Sequence, residues 1–236
     1  MKLPVVEKIL NANDQIAADN RATFDAAKIF VANVMASPGA GKTSMILATL
    51  ERLPQGVRPG VIEGDLASRI DADKIAARGV PVVQINTGGG CHLDAVMIRN
   101  AAGQLPLPDI DLLWIENVGN LVCPAEFALG ENLDVVVASA PEGHDKPYKY
   151  PGMFAAADVV LLNKSDLLQV FEFDVDYFRR GVEMVNPHAP LLLLSCRTGA
   201  GMEEWLAWLL KRHGDFQKTC AILTNGASSR GLITVA

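Results

Sequence analysis

The segment Ala36-Ser-Pro-Gly-Ala-Gly-Lys42-Thr43-Ser44 combines two glycines, a lysine and two hydroxyls between a β-rich run and a helical stretch. Gly39 and Gly41 let the backbone turn so that successive N–H groups, Ala40 among them, face one anion. Lys42 brings a positive charge to β- and γ-phosphates, and Thr43, followed by Ser44, brings a hydroxyl to Mg²⁺. The helix that starts there adds its positive end. This is the Walker A pattern with Ala36 in place of its first glycine. It implies a nucleoside triphosphate without saying which.

Asn163-Lys164-Ser165-Asp166 ends another apolar run. The Asp166 carboxylate can accept both N–H groups on the guanine edge. Adenine would leave that carboxylate unpaired, which is where discrimination arises. Asn163 can brace the loop or bond the base, and Lys164 can lay its stem along the purine. Ser195-Cys196-Arg197 follows the next run and can present backbone N–H groups to the guanine O6. For Cys196, a plain buried thiol is the competing reading. The ligand expected is GTP with Mg²⁺.

Two further run ends carry acids: Glu63-Gly64-Asp65 and Glu116-Asn117-Val118-Gly119-Asn120. Glu116 is expected to hold Mg²⁺ through water and Gly119 to sense the γ-phosphate. Asp65 is the candidate to bind Mg²⁺ or orient the attacking water, with a helix N-cap as its alternative. Lys42, Asp65, Glu116 and Gly119 form the expected catalytic group, and Thr43, Asp65 and Glu116 the expected Mg²⁺ set. Asn120 stands where a water-orienting glutamine is usual, so slow hydrolysis is expected.

Cys91-His92 and Cys123 both fall just past run ends, so the two stretches can meet. Two thiolates and an imidazole suit Zn²⁺ or Ni²⁺ rather than Mg²⁺ or Ca²⁺. A fourth ligand would have to come from water, a substrate or a second chain. A core cysteine beside a satisfied histidine remains the alternative. Cys123 lies only four residues past Gly119, so movement at the phosphate would move a ligand.

Seven short β-rich runs must position these groups: 29–36, 60–63, 81–85, 112–116, 135–140, 159–163 and 191–195. Most are continuously apolar, as in strands buried on both faces of a mainly parallel sheet. Helical patterns such as 44–53, 93–102 and 175–185 alternate with them, so the fold class expected is α/β, a three-layer P-loop NTPase with helices flanking the sheet. Ligands in such sheets lie beyond the carboxyl ends of the strands. Residues 1–27 read as an N-terminal helical segment, with Asn11, Asn13, Asn20 and Arg21 breaking its apolar face. Residues 28–213 read as the nucleotide domain. A last helix is expected over 201–212, with Met202, Trp205, Leu206 and Leu209 as its stripe. Residues 214–236 read as a tail of unknown role, where 221–223 could pair with 232–235 or the tail could equally be disordered.

The 236 residues are 50% apolar and 20% charged, enough for a sizeable core. The net charge of −6 argues against a nucleic-acid or anionic-membrane partner. No run reaches the ~20 apolar residues of a membrane span, and no leader is visible. Four cysteines without a Cys-x-x-Cys suit a reducing compartment. A cytoplasmic protein is expected.

Together the motifs resemble the hydrogenase nickel-incorporation GTPases, the HypB family. The likeness is carried by Ser37–Ser44, Asn86-Thr-Gly-Gly-Gly-Cys-His-Leu-Asp94, Ile115-Glu-Asn-Val-Gly-Asn-Leu-Val-Cys-Pro124, Glu142-Gly-His-Asp-Lys-Pro147, Lys149-Tyr-Pro151 and Asn163–Asp166. It spans roughly 5–212. It implies a SIMIBI-type G domain that dimerises with GTP and helps deliver nickel to [NiFe]-hydrogenase large-subunit precursors. Its implied partner is a HypA-type zinc- and nickel-binding maturation protein, and its implied metal ligands at the dimer interface are Cys91, His92 and Cys123. Many members carry an N-terminal cysteine motif or a histidine-rich stretch. This chain has neither, its four histidines being scattered at 92, 144, 188 and 213, so nickel storage is not expected. The competing readings are a related metallochaperone GTPase for urease or a cobalamin enzyme, a small-molecule kinase, and a metal-regulated dimerisation module. The guanine clamp counts against the kinase.

Overall fold

A computed structural model describes residues 4–65 and 69–228, with side chains from 12 to 222. Strands β1 (Phe30–Ala36), β2 (Pro59–Asp65), β3 (Val82–Asn86), β4 (Leu112–Glu116), β5 (Leu133–Ser139), β6 (Val159–Asn163) and β7 (Leu191–Leu193) form one sheet. The order is β3-β2-β4-β1-β5-β6-β7, and every neighbouring pair is parallel. The α/β expectation therefore holds. Every residue of β1, β4 and β6 is buried, which is why these runs are mostly apolar instead of alternating.

The helices are α1 (Pro4–Ala26), α2 (Lys42–Leu50), α3 (Ile70–Ala76), α4 (Ala95–Ala102), α5 (Lys146–Lys149), α6 (Pro151–Ala155), α7 (Val175–Val185) and α8 (Met202–Ser228). Asp94 caps α4 by accepting the Met97 N–H at 2.8 Å, and Asp174 caps α7 by accepting that of Tyr177 at 2.8 Å. On one face of the sheet, Met202, Trp205 and Leu209 of α8 pack with Met45 and Ile46 of α2. Trp205 donates its indole N–H to Thr49 Oγ1 at 2.9 Å, so the buried ring keeps a polar partner.

Two differences from the sequence expectations are instructive. The polar residues that interrupt the α1 stripe are the ones that dock it. Asn13 Nδ2 donates to the Ala128 carbonyl at 2.9 Å while its Oδ1 accepts the Ala95 N–H at 2.9 Å. Asn20 Nδ2 donates to the Ala95 and Leu129 carbonyls, and Arg21 Nη1 to that of Glu131. The side chain of Asn11 lies outside the described residues.

The last helix does not stop at 212. It continues to Ser228, so 221–223 are helical and cannot form half of a hairpin; 232–235 lie outside the described residues. Phe216 packs on Phe30 with ring centroids 5.5 Å apart, and Gln217 donates to the Lys28 carbonyl at 2.9 Å. These contacts give the extension something to bury and bond, which a solvated tail would lack. Among the described residues, no helix is long and apolar enough to cross a membrane.

Candidate functional site

The loop from β1 to α2 opens a cavity of about 430 Å³ at the carboxyl edge of the sheet. Gly39, Gly41, Lys42, Thr43 and Ser44 line it together with Glu63, Asp65, Glu116 and Gly119. Gly41 has φ 107° and sits at the start of α2 with no side-chain cap, so the first helical amides stay available to an anion. Ala40 is fully buried and contributes backbone only. Burial pulls the Lys42 ammonium below its ordinary pKa, and Glu116, Asp71 and Glu63 oppose that pull.

Thr43 Oγ1 donates to Glu116 Oε1 at 2.7 Å. Burial pushes Glu116 up to about 7. It pushes Glu63 up to about 8, with the Glu116 carboxylate adding to the effect. Glu63 Oε2 and Glu116 Oε2 are both buried without a hydrogen-bond partner. Two unsatisfied carboxylate oxygens beside a hydroxyl are hard oxygen donors of the kind Mg²⁺ takes, so the residues fit that ion. Asp65, at the end of β2, lines the same cavity and is half-buried.

The second lobe, about 520 Å³, shares Gly41 and Ser44 with the first and is lined by Asn163, Lys164, Asp166, Ser195, Cys196 and Arg197. Asn163 acts as the brace: its Nδ2 donates to the Ala40 carbonyl at 3.0 Å, and its Oδ1 accepts the Lys164 and Cys196 N–H groups. Lys164 Nζ donates to the Gly39 carbonyl at 2.7 Å, fastening the base lobe to the phosphate loop. Ser195 Oγ donates to Asp166 Oδ1 at 2.6 Å and holds that exposed carboxylate in place. Ser195 N–H donates to the Ala200 carbonyl. Of the three amides expected to face a guanine O6, those of Ser195 and Cys196 thus already have protein partners. Burial pushes the Cys196 thiol up to about 11.

Cys91, His92 and Cys123 do come together. One donor atom from each lies within 4.8 Å of the other two. Cys91 is exposed and the other two are half-buried. The His92 ring stacks on Phe127 with centroids 3.9 Å apart, and Cys91 Sγ is 3.5 Å from His92 Nδ1. Contact with the Cys91 thiol pushes the Cys123 thiol up. Thiolates with an imidazole favour Ni²⁺ or Zn²⁺ over hard cations.

A family model described as the CobW/HypB/UreG nucleotide-binding domain matches residues 30–193. The chain is 51% identical over 212 residues to the hydrogenase maturation factor HypB of Azotobacter vinelandii, covering 90% of this chain and 70% of the relative. The chain belongs to the HypB family of hydrogenase maturation factors.

To the HypB of Escherichia coli strain K12 it is 52% identical over 207 residues, covering 88% and 71% of the two chains. The crystal structure of HypB from Helicobacter pylori in complex with nickel superposes with a TM-score of 0.83 at 39% identity, over 86% of this chain and 96% of that one.

Three residues that the sequence names without a role gain one in this HypB-family chain. Glu63 faces Glu116 across the β2–β4 ladder; a charged residue at the end of an apolar run was its only signal. Glu142 is hydrogen-bonded to Ser37 of the phosphate loop and accepts from Ser139 Oγ at 2.8 Å, and burial raises its pKa. Asn117 is fully buried; its Oδ1 accepts the Leu93 and Val118 N–H groups, and its Nδ2 donates to Asn33 on β1 at 3.2 Å.

Proposed function

We propose that this chain is a cytoplasmic, GTP-hydrolysing metallochaperone that assists nickel insertion into [NiFe]-hydrogenase. GTP drives formation of a homodimer, and the nucleotide state is coupled to Ni²⁺ or Zn²⁺ held by Cys91, His92 and Cys123. The carrying observation is the convergence of those three donors, one of which, Cys123, follows the Glu116–Gly119 segment that lines the nucleotide cavity. Its partners are a HypA-type maturation protein and the hydrogenase large-subunit precursor. The identity to hydrogenase maturation factors supports hydrogenase over urease or a cobalamin enzyme as the destination.

In this reading Gly39, Ala40 and Gly41 present backbone amides to the phosphates, and Lys42 neutralises β- and γ-oxygens. Thr43, Asp65 and Glu116 hold Mg²⁺, which when bound offsets the charge on the phosphate oxygens. Gly119 lies against the γ-phosphate, and Asp166 reads the guanine edge. Asp65 orients the attacking water. Hydrolysis is slow, because the residue after Gly119 is an asparagine whose amide is already engaged by the protein.

The test measures Ni²⁺ and Zn²⁺ affinity and dimer mass with GDP and with a non-hydrolysable GTP analogue. Metal binding by a Cys91→Ala, Cys123→Ala variant as tight as wild type would remove the site assignment. GTP hydrolysis at the normal rate by Lys42→Ala would remove the catalytic one.

A further inference from the structure

The phosphate loop and the metal cluster meet in the side chain of Asn120. Its backbone N–H donates to the Ala36 carbonyl at 2.8 Å, where β1 enters the phosphate loop. The residue before it, Gly119, has no slack: a Cβ there would stand 2.9 Å from the Pro38 nitrogen. From that anchored position the Asn120 amide reaches both metal-bearing segments. Nδ2 donates to the Cys91 carbonyl at 3.3 Å, and Oδ1 accepts the Val122 N–H at 2.8 Å, one residue before Cys123.

Asn117 makes the contrast. It is fully buried and bonds the far end of the Cys91 loop, at Leu93, to β1 through Asn33. That end is a fixed post. Asn120 is half-buried, and its backbone N–H is held at the last residue of β1, nearer the phosphate loop than the Val34 carbonyl that takes the Asn117 N–H.

We propose that Asn120 is the positioning residue through which nucleotide state sets the separation of Cys91 from Cys123. The proposal rests on the function proposed above and names the residue that carries its coupling. Any shift of Gly119 against Pro38 drags the Asn120 backbone. The side chain then pulls the Cys91 carbonyl and the Val122 amide together or lets them part. Zinc–sulfur bonds are about 2.3 Å and zinc–imidazole bonds about 2.0–2.1 Å, so small displacements decide whether all three donors reach one ion. The link works in both directions, since a coupling between two binding events is reciprocal.

The test uses the full chain and Ni²⁺ alone as probe, measuring its Kd with GDP and with a non-hydrolysable GTP analogue. In wild type the two values are expected to differ by at least about fivefold. In Asn120→Ala they should fall within about twofold of each other, against the 5- to 150-fold range of allosteric couplings. Phe127→Ala, which removes the ring stacked on His92, should weaken Ni²⁺ equally in both states and leave the ratio as in wild type. If Asn120→Ala fails to bind GDP, Asn120→Asp serves in its place. It keeps an acceptor for Val122 and loses the donor to Cys91, and its ratio should collapse in the same way. A wild-type ratio retained in the Asn120 variants overturns this proposal alone. A ratio of one in wild type overturns it together with the coupling on which it rests.

Discussion

Glu63 stands directly across the β2–β4 ladder from Glu116, and each of these buried carboxylates keeps one oxygen without a hydrogen-bond partner. Two acids in one cavity repel when both are ionised, and the cation that would relieve them is the one the phosphate chemistry needs. Glu63→Gln removes one charge and keeps the shape. Without Mg²⁺ the variant should melt roughly 2–4 °C higher than wild type. Its Mg²⁺ affinity, read by Mn²⁺ competition, should fall by about 10- to 100-fold, the usual cost of removing a supporting group at a metal. Unchanged Mg²⁺ affinity would show that Glu63 takes no part in holding the ion.

Gly119→Ala tests the contact with the phosphate loop. The added methyl would meet backbone and ring atoms of Pro38 at 2.9–3.0 Å, and a backbone cannot rotate away as a flexible side chain could. Overpacking of this kind costs about 1–3 kcal/mol. Denaturant unfolding should show that loss, and affinity for a GTP analogue should fall more than affinity for GDP. Equal losses for both nucleotides would mean that Gly119 has no contact peculiar to the γ-phosphate.

Cys196 should be slow to alkylate. Burial holds its thiol at about 11 against an ordinary 9.0, so its thiolate fraction near pH 8 is lower by roughly a hundredfold. Timed treatment with iodoacetamide, read by peptide mass spectrometry, should label the exposed Cys91 well before Cys196. Early labelling of Cys196 would mean that the base lobe is open to solvent.

His213 makes the pH dependence. Burial holds its pKa below the ordinary 6.5, and its ring packs edge-on against Phe30 at 5.9 Å. Well above pH 6.5 the imidazole is neutral whether the chain is folded or not. As the pH falls through that value, the unfolded chain takes up the proton first, so folded-state stability declines. The decline in Tm between pH 7.5 and 5.5 should be shallower in His213→Gln than in wild type. Parallel Tm–pH curves would assign the acid sensitivity elsewhere.

What the sequence disclosed follows from how local each signal is. Lys42, Thr43, Asn163 and Asp166 stand in contiguous motifs at the ends of apolar runs, and those runs are the strands. Cys91 and Cys123 were readable because both follow strand ends that a parallel sheet gathers at one edge. Glu63 was not, because its significance lies in the pairing of β2 with β4, strands separated in the chain by β3. Asn120 was visible only as a missing glutamine; its partners are the Ala36 carbonyl, at the mouth of the phosphate loop, and the Cys91 carbonyl, 29 residues away. The α1 asparagines looked like interruptions because a periodicity argument counts polar atoms against burial, and it cannot see the carbonyls that satisfy them. The length of α8 depended on Phe30 and Lys28, far upstream, lying where Phe216 and Gln217 could use them.

The strand order bears on what a shift at Asn120 would move. The loop holding Cys91 and His92 grows from β3, an edge strand that among the described residues pairs with β2 alone. Cys123 follows β4, which is clasped on both sides by β2 and β1. The cluster therefore joins a loop at the rim of the sheet to one rooted in its interior. A shift passed through Asn120 would thus move Cys123 from the interior of the sheet against a loop at its rim.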